Sequence, residues 1–253
     1  MDGGRRRGDV PPGRLHQHQG SDGSGPIPVH GRVTVFPRTL GHMAAPQVPS
    51  SLPAARSSRG IARIVPPHPL GAAVVMLLFT AVLYAVEFYD QMSGQYLDNE
   101  GIISRNADGA WGILWAPLLH GGWPHLWANT LPFLVFGWLA MAGGIRQWVG
   151  VTALIWLGSG AAVWLVGPSM ASTIGMSGVI FGWLLFLLAR GFFARSGRQI
   201  ALAVVLLFLE GGMLFGVLPG NPGISWQAHL FGALFGILAA WIVARADRTP
   251  APV

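Results

Sequence analysis

The chain has 253 residues, 52% hydrophobic and only 10% charged, with 11 Trp and no Cys. That balance marks a polytopic membrane protein, and the missing Cys removes disulfides, thiolate catalysis and Cys-based metal sites. The net charge of +6 comes from 16 Arg and no Lys; their scatter through the N-terminal tail and short connections fits a membrane orientation signal and excludes a nucleic-acid surface.

Residues 1–63 are rich in Gly, Pro, Ser, Arg and His without a sustained apolar period, and read as a disordered tail. No apolar h-region follows the early arginines, so no signal peptide is expected. His16, His18, His30 and His42 lie in this tail without the regular spacing a metal site needs. The pattern changes at Pro69. Residues 70–89 are almost continuously apolar, long enough to cross the hydrocarbon core. An acidic connection follows over 90–108, and 109–119 are aromatic and amphipathic without spanning. Further apolar runs at about 124–141, 147–166, 176–193, 200–218 and 226–244 complete an all-α domain of six transmembrane helices expected over 64–248, with 249–253 as a short tail.

Six spans place both termini on one side. Arg146, Arg190, Arg195, Arg198, Arg245, Arg248 and the tail arginines then share a face, and Arg105 alone falls on the other, beside Asp98, Glu100 and Asp108. The positive-inside rule predicts cytoplasmic termini and an external first loop.

With that topology, spans two, four and six all start at the external face. Ser177 falls in the first turn of span four, His229 in the first turn of span six, and His125 and Asn129 in the first two turns of span two. A Gly-x-Ser-Gly string is weak evidence in so glycine-rich a chain. Three helices placing polar side chains at one depth is stronger, because such groups are costly in hydrocarbon unless they face one another or water. Gly178 and Gly182 on span four, and Ala228, Gly232 and Gly236 on span six, are small-xxx-small strips that let two backbones approach closely.

A serine nucleophile needs a base for its proton and donors for the developing oxyanion. His229 can be the base; His120, Asn129 and the Ser177 backbone N–H can be the donors. His125 either assists there or ties span two to the first loop. No aspartate is placed to orient His229, so the expectation is a dyad. Glu210, on span five near mid-membrane, has no evident partner. There is no His-Glu-x-x-His zinc motif and no pair of aspartates in spans, and this chemistry calls for neither metal nor cofactor.

The order His120-Gly-Gly-Trp-Pro-His125-Leu-Trp-Ala-Asn129, Gly175-Met176-Ser177-Gly178 and Ala228-His229-Leu-Phe-Gly232-Ala-Leu-Phe-Gly236 resembles the rhomboid intramembrane serine proteases, over about residues 69–248. The resemblance implies a six-helix bundle that cleaves transmembrane protein substrates in or near the lipid bilayer. It makes Ser177 the nucleophile and His229 the base, with His120 and Asn129 assisting the oxyanion. Rhomboid-like proteins without activity, which bind membrane helices, are the alternative. Three positions depart from the pattern: Trp111-Gly112 stands where many rhomboids carry Trp-Arg, Met176 replaces a smaller residue and would narrow the pocket, and Pro132 predicts a kink in span two. Residues 219–223, rich in Gly and Pro, suit a mobile cap or an ordinary turn. The Arg-for-Lys bias points to a bacterial plasma membrane, and nothing in the sequence sets an oligomeric state.

Overall fold

A computed structural model describes residues 63–220 and 223–247. The tail expected over 1–63 therefore lies outside the described residues except for Arg63, as do Arg248 and the centre of the 219–223 turn. Seven α-helices follow in order: α1 (Pro69–Met92), α2 (Gly112–Trp115), α3 (Trp123–Ala140), α4 (Ile145–Val166), α5 (Ser177–Ala194), α6 (Gly197–Glu210) and α7 (Trp226–Ala246). All except α2 are long and apolar enough to cross a membrane, α3 and α6 being extended to Gly143 and Val217 by 3-10 turns. The chain is an integral, multi-pass membrane protein with the six spans expected. Helices are the economical solution there, since each backbone N–H finds its acceptor within the segment.

Helix α5 is the centre of the bundle. Of its apolar window 61% is buried, against 17% for α1 and 11% for the α6 span. Trp183 of α5 is fully buried between Phe133 of α3 and Trp148 of α4, at ring-centroid distances of 5.4 and 5.8 Å. Its indole N–H donates to Thr152 Oγ1 at 3.0 Å, which satisfies the one polar atom carried into the core. Met176 is also wholly buried within this cluster, so it fills the core and does not line a pocket at the helix mouth.

The pairing of α5 with α7 is the closest in the bundle, as the small-residue strips predict. A Cβ placed on Gly232 would collide with the Gly178 carbonyl, and one on Gly236 with the Gly182 carbonyl. Only glycine permits that approach.

Span five departs from the expected single helix. It is α-helical to Glu210 and then 3-10 from Gly211 to Val217. Gly211-Gly212 are poor helix formers, and the tighter winding beyond them re-aims the carbonyls of the last turns. Glu210 sits at this junction, half-buried and without a side-chain hydrogen bond or ion pair among the described residues.

The first loop is braced without an arginine at position 112. Gly112 is buried, and a Cβ there would strike the carbonyl of Gly101 and the nitrogen of Ile102. Arg105, held at φ 60°, donates instead to the carbonyls of Leu165 and Gly167 at 3.2 and 3.0 Å, capping the end of α4. Ser104 Oγ donates to Val163 O at 2.7 Å, and the Trp164 indole N–H donates to Asn106 O at 2.8 Å. These contacts hold the loop with Gly112 standing where many rhomboids carry an arginine.

Candidate active site

Ser177 is the first residue of α5, where an α-helix leaves its leading N–H groups without intrahelical acceptors. The approach to it is fixed from outside the helix. Ile102 and Thr173 exchange backbone hydrogen bonds of 3.0 and 2.9 Å, and Gly175 N–H donates to Ala116 O at 2.8 Å. The first loop thus holds the three residues before Met176 in an extended course. Gly175, at φ 116°, turns that course into the helix in a backbone region that side chains rarely adopt.

His229 enters from α7, which starts at Ser225 acting as N-cap, its hydroxyl accepting from Ala228 N–H at 3.3 Å. His229 Nε2 lies 2.9 Å from Ser177 Oγ, and His229 Nδ1 lies 3.0 Å from the Gly216 carbonyl. A carbonyl can only accept, so Nδ1 carries the proton and Nε2 presents its lone pair to the serine hydroxyl. Phe181, one turn below Ser177, stacks on the imidazole with centroids 4.0 Å apart and planes 9° from parallel. Carbonyl and ring together leave the imidazole one orientation. No carboxylate contacts it among the described residues.

Of the remaining sequence-predicted residues, His125 lies beside the approach to Ser177. A Cβ on Gly175 would sit 2.9 Å from His125 Nε2 and 3.7 Å from Ser177 Oγ, so imidazole and hydroxyl flank the same glycine. His125 Nδ1 accepts from Gly121 N–H at 3.3 Å, which also ties the start of α3 to the loop before it. His120 is 1% exposed with its ring 5.1 Å from that of His125, and its nitrogens make no well-formed hydrogen bond, the Leu118 backbone being the neighbouring polar group. Burial, and then the neighbouring His125, push its pKa down to about 4, so it is neutral near pH 7. Asn129, one turn below His125, is buried with its amide nitrogen unpartnered. Neither His120 nor Asn129 bonds to Ser177 or His229. Buried polar groups without partners are costly to keep.

A cavity of about 580 Å³ opens above this cluster, lined by Gly121, His125, Ser172, Ile174, Ile224 and Gln227 among others. Among the described residues no group of His, Asp and Glu is arranged to hold a metal ion. Sequence reasoning missed Phe181 and the Gly216 carbonyl. The i, i+4 spacing of Phe181 from Ser177 could have exposed the first; a main-chain acceptor leaves no side-chain signature.

Comparison with known proteins places this geometry in a family. The Rhomboid domain model matches residues 107–246, more than half of the chain and every residue of the cluster. Uncharacterized proteins of Mycobacterium tuberculosis and Mycobacterium leprae are each 46% identical, over 181 and 183 residues, covering 68% and 69% of this chain and 75% and 72% of theirs. A Bacillus subtilis protein, YdcA, provisionally named a rhomboid protease, is 28% identical over 184 residues, 67% of this chain and 83% of its own. This chain belongs to the rhomboid family.

Proposed function

We propose that the protein is an intramembrane serine endopeptidase that cleaves transmembrane protein substrates through a Ser177–His229 dyad. The observation that carries this reading is the 2.9 Å contact between Ser177 Oγ and His229 Nε2, with the opposite ring nitrogen committed to the Gly216 carbonyl. As Oγ attacks a peptide carbonyl, Nε2 takes the hydroxyl proton. The imidazolium that forms keeps its second N–H on Gly216 O, and returns the new proton to the leaving amine. Water then repeats the sequence on the acyl-enzyme and frees Ser177. The carbonyl oxygen gains its charge at the start of α5, where the N–H of Ser177 and the helix dipole favour an anion. The unpartnered Asn129 amide and the neutral His120 supply further donors. With the termini cytoplasmic, as the arginines suggest, the cavity over His125 opens to the external face and admits water.

The test is cleavage of a generic transmembrane substrate by the purified protein, with labelling by a serine-directed fluorophosphonate. Ser177→Ala and His229→Ala are each expected to lower turnover by about 10⁴-fold or more, and Ser177→Ala to abolish labelling. If the folded intact protein neither cleaves nor labels, the protease reading fails and a helix-binding rhomboid-like protein replaces it.

A further inference from the structure

At the end of the bundle opposite Ser177, the start of α1 and the turn between α3 and α4 enclose a second groove, of about 280 Å³. Pro66, Ala72 and Val75 form one wall; Met141 and Ile145 form the other; His68 lies at the rim. The Trp138 indole N–H donates to Pro69 O at 3.0 Å, tying the end of α3 to the start of α1 and setting the width of the groove. Because α1 and α4 are spans, the groove faces the hydrocarbon and its headgroup boundary, where an apolar cleft is filled by acyl chains.

The mouth of the groove is not neutral. Ile145, in its wall, is followed by Arg146, which is exposed and makes no hydrogen bond or ion pair among the described residues. The Gln147 side chain folds back over Gly143 and keeps a buried Nε2 without an acceptor. Among the described residues this end carries Arg63, Arg146, Arg190, Arg195, Arg198 and Arg245 against a single acid, Asp247, whereas the Ser177 end carries one arginine and five acids. An exposed arginine adjoining the wall of an apolar groove is complementary to one molecule in that setting.

We infer that the groove is a site for an anionic phospholipid, one acyl chain lying along Val75 and Met141 and the phosphate against Arg146. Zwitterionic lipid enters the same groove but gains less from Arg146, so the site selects by headgroup charge. It stands apart from the dyad, and its test reads lipid retention instead of proteolysis.

The full-length protein is purified from mixed phosphatidylglycerol and phosphatidylcholine vesicles and its retained lipid counted by native mass spectrometry. Intact protein is expected to retain phosphatidylglycerol preferentially, and Arg146→Gln to lower that preference about fivefold. Gly71→Phe is expected to displace both lipids while the helical signal and thermal midpoint hold. A side chain has room at Gly71, where a Cβ would meet only His68 Cβ, at 3.7 Å. Equal retention of both lipids by the intact protein, or no change in Arg146→Gln, overturns the site. Since the chain has no cysteine, Gly71→Cys carries a photo-crosslinker at a unique position: adducts with phosphatidylglycerol support the assignment, and adducts with the chain's own residues 1–62 refute it.

Discussion

Among the described residues His229 has no carboxylate to steer it, and the Gly216 carbonyl takes over the steering while leaving the charge uncompensated. In the proposed reaction the imidazolium is then stabilised chiefly by what faces it, which raises the demand on the oxyanion side. In the proposed mechanism Asn129 is the donor with most to contribute there, being buried, uncharged and with its amide nitrogen unpartnered among the described residues. Asn129→Ala is expected to reduce kcat by about 10²-fold with little change in KM, since the interaction exists only once the oxyanion has formed. A change confined to KM in the substrate assay would remove Asn129 from the chemistry. The His125 and Asn129 pair could be read from an i, i+4 spacing, whereas Gly216 contributes a main-chain atom that any residue would carry. Its neighbour relation depends on how span five winds, which no local pattern states.

Element by element, the spans were legible because some twenty apolar residues in succession admit one structure in lipid. The first loop was not. Its hold on the bundle runs through Arg105 to carbonyls some sixty residues away, and through a bridge between Ile102 and Thr173. At the root of this loop Glu87 and Asp90 are buried at the end of α1 and Asp98 lies beside them, with no base among their neighbours. Asp90 Oδ1 accepts from Leu97 N–H at 2.7 Å, while Asp90 Oδ2 and Asp98 Oδ1 are buried without donors. Burial first, then the charges of Asp90 and Glu87, raise the Asp98 carboxyl from 3.8 to about 6. A carboxyl whose pKa is higher in the fold than in the unfolded chain binds its proton more tightly there. Its stabilisation is therefore complete below 3.8 and is lost as pH rises through about 6. The loop root should be held more firmly at pH 5 than at pH 7, and Asp98→Asn, which keeps the neutral form, should flatten that dependence. Hydrogen exchange at the Leu97 amide, corrected for its intrinsic rate, reads the effect; identical pH profiles for Asp98→Asn and the parent chain would exclude it.

Across the whole molecule the charge is sorted more sharply than the helices alone require. Among the described residues one end of the bundle is an arginine surface and the other is acidic apart from Arg105, whose guanidinium is occupied in capping α4. Sorted arginines set orientation during insertion, so the arginine end is expected to be cytoplasmic and the Ser177 end external. The lack of native cysteine makes this directly measurable. Ser169→Cys lies exposed at the Ser177 end, and Gly197→Cys is exposed at the opposite end with open space around its Cβ. An impermeant maleimide applied to intact cells is expected to label the first and spare the second until the membrane is permeabilised. The reverse pattern would place Ser177 and its cavity on the cytoplasmic side, where the proposed protease would meet its substrates from inside the cell. Equal labelling of both would mean that the arginines do not decide orientation, and that the acidic root of the first loop or Trp111 and Trp115 around α2 must share in that decision.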